Sequence, residues 1–453
     1  MKEKEIVVGL DIGTTKVVVI VGYKDDNGKI HVLGYGHTES VGVLRGSVIN
    51  VDKTAESIRA AVEEAELRAQ VDIHEVYVGI AGQHIKSRQQ SGGMVRQNQE
   101  EEISREEVVQ LIESMKRCQV DPGENIIHVI PQEFIVDGVH GISEDDVVGM
   151  SGANLEANFH IITAHFAAMR NIQRSVEKAG LEIGGFVLEP LVSAEAVLDQ
   201  NDKEAGVVLV DIGGGTTDVA IFNDSVLCHT AVIPLAGNII TKDIKEGCGI
   251  LPKQAEALKI KFGSALPSEN SDEKIVSIPG LRGRSPKEIS LKSLANFIGA
   301  RMDEVLQNVA FEISNSGCNS NFIGGIVLTG GGSKLKHVVQ LADYVTGIES
   351  RIGYPNEHLT EDSPKELNDP IFSTGIGLVI YGIRCEEEKT ERKMAVEELK
   401  RVDFNNVLTE EPIETDSEEK DKKKDKKKKW GGLWSSGSAL DNLVKFFDDD
   451  SVK

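Results

Sequence analysis

The sequence predicts an α/β fold of two similar domains, with duplicated β-hairpins and a small α/β subdomain inserted in the first. Three observations predict it. Residues 207–221 run from an apolar stretch through Asp211-Ile212-Gly213-Gly214-Gly215-Thr216-Thr217-Asp218 into a second β-prone stretch, so a glycine turn joins two strands. Residues 6–19 repeat the layout around Asp11-Ile12-Gly13-Thr14-Thr15-Lys16. The chain has 453 residues, too many for one ordinary core. Two copies of one device, far apart in one chain, imply two similar halves facing each other.

The residue types in the turns define a chemistry. Glycine permits φ > 0 and lets an anion approach the amides closely, and the threonines add hydroxyl donors. The expected phosphate-binding set is Gly13, Thr14, Thr15 and Lys16 from one turn, and Gly213, Gly214, Gly215, Thr216 and Thr217 from the other. Asp11 and Asp211 are matched positions. Their carboxylates, with that of Asp218, make sense beside a phosphate only with a cation between, and Mg²⁺ held through water fits. An ordinary glycine turn needs neither the Asp nor the Thr pair.

This pair of hairpins resembles the phosphate motifs of the actin, sugar-kinase and heat-shock-chaperone ATPase superfamily. The resemblance implies an actin-like two-domain ATPase fold, hinged around a cleft that holds ATP and Mg²⁺. No G-x-x-x-x-G-K-[ST] loop occurs, and a strand rather than a helix follows each turn, which sets a dinucleotide fingerprint aside.

Taken in order, residues 1–85 read as strands, a helix around 54–68 and a strand at 76–80, and with 166–200 they make the first domain. Residues 86–165 form the insert. Its helix is opened by Ser104 with Glu107 three residues on, a capping-box pattern, and strand-like runs follow at 126–130, 133–136 and 158–163. The segment 185–196 resembles the superfamily hinge, where Glu189 would orient the attacking water. Alternatively, Glu189 is a helix N-terminal carboxylate before Pro190. The second domain comprises 201–235 and 323–385, with an outer subdomain at 236–322. There Glu256 and Lys259 sit three apart on one helix face. The superfamily would use such a pair at ribose and adenine, and a plain surface ion pair is the other reading. Gly330, Gly331, Gly332 and Ser333 follow a strand and resemble the adenosine motif. Residues 369–377 resemble the second hinge.

Composition narrows the partners. A formal charge of −23 makes the chain a poor nucleic-acid binder. Five scattered cysteines without a C-x-x-C pattern argue against a disulfide framework or zinc site. No signal peptide or bilayer-length apolar run is visible, so the expected location is the cytoplasm. Against the acidic background, Arg284, Lys292 and Arg301 belong to a local basic cluster suited to an acidic peptide, a solvated helix face being the alternative. Residues 386–429 are rich in charge and end in a lysine run, which predicts a disordered linker. In 430–453, Trp430, Leu433 and Trp434 precede a segment with Leu440, Leu443, Val444, Phe446 and Phe447, four of them at i, i+3, i+4 and i+7. An amphipathic helix beside a lysine block predicts an anchor on an anionic membrane surface, with a tail helix docking on a protein as the other reading.

The insert, the Val232–Asn238 string after the second hairpin and the tail together resemble the FtsA family of bacterial division proteins over about residues 5–385, plus the tail as an architecture. In that family the terminal helix is usually itself basic, whereas here lysines precede it and Asp448-Asp449-Asp450 follow. The resemblance implies an ATP-binding scaffold that polymerises with copies of itself at the inner face of the cell membrane, at the division site. It would tether the tubulin-like protein FtsZ, whose acidic C-terminal peptide docks on 236–322 through Arg284, Lys292 and Arg301, and recruit later division proteins. Nucleotide hydrolysis would be slow at most. The alternative is a soluble actin-superfamily ATPase or a sugar kinase.

Overall fold

A computed structural model describes residues 5–280, 285–318 and 322–408, with side chains as far as residue 390. The chain opens with the first hairpin, β1 (Val7–Ile12) and β2 (Lys16–Lys24), followed by β3 (Ile30–Glu39) and a two-residue-loop hairpin, β4 (Val43–Leu44) and β5 (Ser47–Val48). Helix α1 (Val51–Ala69) starts where the Asn50 side chain accepts the N–H of Lys53, and it buries Ile58, Ala61, Val62 and Ala65. Leu67, at the edge of that spacing, faces solvent instead. Strand β6 (Glu75–Ile80) follows.

The insert comprises β7 (Ile85–Val95), α2 (Arg105–Met115), β8 (Glu124–Val136), β9 (Val139–Ile142), α3 (Glu144–Val147) and β10 (Asn154–His165), with sheet order β7-β10-β8-β9. The two runs read separately at 126–130 and 133–136 are one strand, β8, whose register shifts around Pro131. A shift there lets a residue without an N–H stay in the sheet. Ser104 and Glu107 form a full capping box at α2. The subdomain has its own core, including Leu111, Phe134, Leu155 and Phe159.

The first domain resumes with α4 (Phe166–Ala179), β11 (Glu182–Leu188), α5 (Glu189–Val197) and α6 (Gln200–Ala205). The second begins with β12 (Val207–Ile212), β13 (Thr217–Asn223) and β14 (Val226–Ile233). Its outer part carries α7 (Gly237–Cys248), α8 (Pro252–Phe262), β15 (Ile275–Ile278), β16 (Lys287–Ser290) and α9 (Leu291–Asn315). It closes with β17 (Ile326–Thr329), α10 (Val338–Thr346), β18 (Ser350–Ile352) and α11 (Ser373–Leu408).

The duplication extends to topology. The sheets run β3-β2-β1-β6-β11 and β14-β13-β12-β17-β18, and in both the first two pairings are antiparallel and the last two parallel. Between the sheets lies a shared core that includes Val18, Ile20, Leu209, Ala220, Phe372, Ile376 and Val379. Helices α5 and α11 contribute to it, so both hinge segments are fixed by burial.

One expectation needs correcting. The linker expected to be disordered from 386 instead starts as helix, since α11 runs to Leu408. Its sequence is dominated by Glu, Lys, Arg, Met, Ala and Leu, which are strong helix formers even without a core to join. Glu386 pairs with Lys389 at 2.8 Å one turn on, and Lys24 pairs with Glu387 at 2.7 Å.

Candidate functional site

The two glycine turns meet tip to tip. A Cβ on Gly214 would overlap the Thr15 side chain, and one on Gly215 would overlap Thr14. Only glycine permits that approach. The second turn is closed by the Gly213 N–H donating to Thr216 O at 2.9 Å, and its carbonyls accept the first N–H groups of α7: Gly237 to Gly213 O at 3.1 Å and Asn238 to Gly214 O at 2.8 Å. In the first turn, Thr14 Oγ1 accepts the Gly46 N–H at 3.0 Å. Gly46 lies in the β4–β5 loop, whose Arg45 and Gly46 both take positive φ.

Beneath the tips lies a cavity of about 460 Å³. It is lined from the first domain by Asp11, Gly13, Thr14, Thr15, Lys16 and Glu189. From the second come Asp211, Gly213, Gly214, Gly215, Thr216, Asp218, Glu256, Lys259, Gly330, Gly331 and Gly332. Candidate residues scattered over some 320 positions thus converge on one space. Two do not reach it. Thr217 points away, its hydroxyl donating to Leu235 O at 2.8 Å, because alternation along β13 sends its neighbours Thr216 and Asp218 inward. Ser333 is buried and closes the Gly330 turn, its hydroxyl donating to Gly330 O at 2.8 Å.

The cavity floor is unusually rich in buried carboxylates. Burial raises Asp11 to about 6, against the opposing charge of Lys16 and with a contribution from Asp211. Burial and then Asp211 push Asp218 to about 8. Asp211 is also raised by burial, although Ser193 Oγ donates to it at 2.8 Å and Thr374 Oγ1 at 3.3 Å. Glu189 stands well above the usual range, through burial and then the charges of Asp11, Asp218 and Asp211. Lys16 is lowered by burial, and its Nζ donates to Ile371 O and lies 4.9 Å from the Phe372 ring centre. Oδ1 of Asp218 is buried with no partner. A donor set this acidic, with an orphaned oxygen, fits a hard divalent cation. Among the described residues no three acidic, His or Cys groups converge on a direct metal shell.

The far wall suits a flat, partly apolar group. Ile260, Met302 and Leu335 face the cavity beside Glu256 and Lys259. Those two form an ion pair at 2.9 Å, and Lys259 Nζ also donates to Gly237 O and Thr241 Oγ1, both at 2.9 Å. The pair is therefore an ion pair and a cavity wall at once. Gly330 has φ +77°, and a Cβ there would overlap Asp211.

Several residues at the site carry little signal in the sequence. Asn238 lies in a string that carries only a resemblance, and Gly46 lies in an Arg-Gly loop between short β-prone runs. Ser193 and Thr374, which hold Asp211, carry no local sign of their role. Of the basic cluster, Lys292 is paired with Asp272 at 3.0 Å. Arg301 is held by Asp243 at 2.6 Å and by Glu304. Arg284 lies outside the described residues, as do Trp430, Leu433, Trp434, Leu440, Leu443, Val444, Phe446 and Phe447. No described helix is long and apolar enough to cross a membrane.

Two lobes of identical strand order, each presenting a glycine-turn hairpin to one cavity, define an actin-like ATPase fold with a small α/β insert. A solved structure titled "PilM-PilN type IV pilus biogenesis complex" superposes with a TM-score of 0.60 at 16% identity, covering 83% of this chain and 98% of that one. Residues 208–377 match the family model "Cell division protein FtsA", and residues 82–163 match "SHS2 domain inserted in FTSA". The cell division protein FtsA of Pseudomonas aeruginosa is 36% identical over 384 residues, 85% of this chain and 91% of that protein. That of Bacillus subtilis is 34% identical over 384 residues, 85% of each. The chain belongs to the FtsA family of cell division proteins.

Proposed function

We propose that the chain binds ATP in the interlobe cavity and works as a membrane-attached actin-like scaffold of the division site. The observation that carries the nucleotide reading is the meeting of both glycine turns over one carboxylate-floored cavity. The triphosphate would lie between the turns, with Thr14, Thr15 and Thr216 donating. The adenosine would lie along Gly330–Gly332, Glu256, Lys259 and Met302. Bound Mg²⁺ would neutralise the phosphates, with Asp11, Asp211 and Asp218 holding its water shell. Glu189 would orient a water at the phosphate end, with turnover slow at most.

In this reading the chain assembles into filaments on the cytoplasmic face of the cell membrane. The residues after the core anchor it to anionic lipid, and the outer subdomain receives the acidic C-terminal peptide of FtsZ. Later division proteins are recruited to the assembly. Lys292 and Arg301 contribute to docking by exchanging Asp272 and Asp243 for carboxylates of the peptide. Charge reversal at both is expected to weaken peptide binding, and unchanged affinity would remove that assignment. Family membership favours this reading over a sugar kinase.

The test is flotation with anionic liposomes, using the full chain and one ending at Lys429, each with and without FtsZ and with ATP and Mg²⁺. The full chain alone should float and carry FtsZ with it. Equal flotation of both chains would move the anchor elsewhere, and flotation of neither would overturn the membrane reading.

A further inference from the structure

The insert grips both lobes through one strand. β11 is the edge strand of the first sheet, so its outer N–H groups have no strand to pair with. Its last residue, Leu188, is fully buried. The Leu188 N–H is met by Nε2 of His128, on β8 of the insert, at 3.0 Å. An accepting Nε2 requires the ring proton on Nδ1, and burial, with Arg384 adding, holds His128 neutral by lowering it to about 4. Four residues along β8, Gln132 Nε2 donates to Leu227 O at 3.0 Å and Cys228 O at 3.2 Å. Those carbonyls belong to β14, the edge strand of the second sheet.

Leu188 is also where β11 becomes α5. It has φ −66° and ψ 125° and supplies no side-chain cap. The next residue is Glu189, on the cavity wall. Its side chain packs directly on Gly79, where a Cβ would lie 2.9 Å from Glu189 Cγ. The entry angle of α5, and with it the Glu189 carboxylate, is therefore held on one side by Gly79 and on the other by the His128 acceptor.

We propose that His128 is a positioning residue for the nucleotide site, and that β8 couples the insert to that site by fixing the Leu188–Glu189 junction. Whatever displaces the insert tilts Glu189, and nucleotide in the cavity tightens β8 in return, because coupling between two sites is reciprocal. The inference rests on the proposed binding of ATP in the interlobe cavity.

The experiment compares the full chain with His128→Gln and His128→Met, side chains of similar size. Gln keeps an acceptor near the position of Nε2 and Met has none. A fluorescent ATP analogue with Mg²⁺ reports affinity, and amide exchange reports residues 186–192. His128→Met is expected to lose about tenfold in affinity, the effect of one buried donor left unpaired at the site, and to expose the Leu188 amide to exchange. His128→Gln should stay within about twofold of the parent chain. Equal affinities for the two variants would overturn the inference, since packing alone would then account for His128. Should His128→Met fail to melt cooperatively, exchange in the parent chain decides. Added nucleotide should slow exchange in residues 124–132, and no change there overturns the coupling. Failure of the parent chain to bind the analogue would instead overturn the nucleotide reading itself.

Discussion

Asp218 offers the sharpest handle on the carboxylate floor. Its Oδ2 accepts from Thr216 Oγ1 at 2.9 Å, while Oδ1 is buried without a partner. Burial, reinforced by Asp211, raises it from 3.8 to about 8. For an acid raised in the folded state, the unfolded chain gives up its proton first. Stability is then fullest below about pH 4, falls as pH rises, and levels off above about pH 8. At about 1.4 kcal/mol per pH unit, the interval from about 4 to 7 amounts to roughly 4 kcal/mol at pH 7. Asp218→Asn keeps an acceptor for Thr216 and removes the titration. Without nucleotide, the variant is expected to melt several degrees above the parent at pH 7–8, with the gap closing towards pH 4. Adding Mg²⁺ and ATP should reverse the order, because the carboxylate's charge holds the hydrated cation more strongly than a neutral amide oxygen does. The assay is thermal melting from pH 5 to 9, with and without Mg²⁺ and ATP. Parallel pH profiles for the two chains would refute the buried-charge argument. Equal stabilisation of both by Mg²⁺ and ATP would refute the cation reading.

Three further outcomes follow from the geometry. Gly330→Ala puts a Cβ into Asp211 at φ +77°. It is expected to abolish binding of the ATP analogue and to lower stability by about 1–3 kcal/mol from a backbone conformation open essentially to glycine alone, read by fluorescence titration and melting. Arg96→Met removes a buried guanidinium that donates to both Glu107 oxygens at 2.9 Å and to the carbonyls of Glu101, Glu102 and Gly152. Breaking it should cost the insert about 3–5 kcal/mol, seen as selective proteolysis between 86 and 165 while the hairpin lobes stay protected. Lys259→Met removes the ion-pair partner of Glu256 on the cavity wall and leaves that carboxylate only the Thr241 hydroxyl. It should weaken the analogue about tenfold with little change in melting temperature, since the group is partly solvated.

What the sequence made legible was local and repeated. Each glycine turn lies between two short strands, so Asp-Ile-Gly and the threonines declare it within a dozen residues, and the repeat shows that the fold is duplicated. The same local physics accounts for two differences between sequence expectation and structure. Alternation along β13 puts Thr216 and Asp218 on the cavity and Thr217 on the opposite face. The Glu- and Lys-rich stretch after 386 is helix-forming as well as hydrophilic, and charge alone does not distinguish a solvated helix from a coil. The remaining gaps are of another kind. Lys16 reaches the Ile371 carbonyl, Ser193 and Thr374 converge on Asp211, and His128 meets Leu188. Each joins elements that only the tertiary fold brings together, and no periodicity in either partner announces it. These contacts tie the hinges and the insert to the elements that carry the carboxylate floor. A hairpin motif identifies where phosphate can bind. On the proposed nucleotide reading, the long-range pairs set how the hinges and the insert meet the cavity, which makes His128, Ser193 and Thr374 better sites for tuning affinity than the glycines, whose replacement would put a Cβ where the two turns meet.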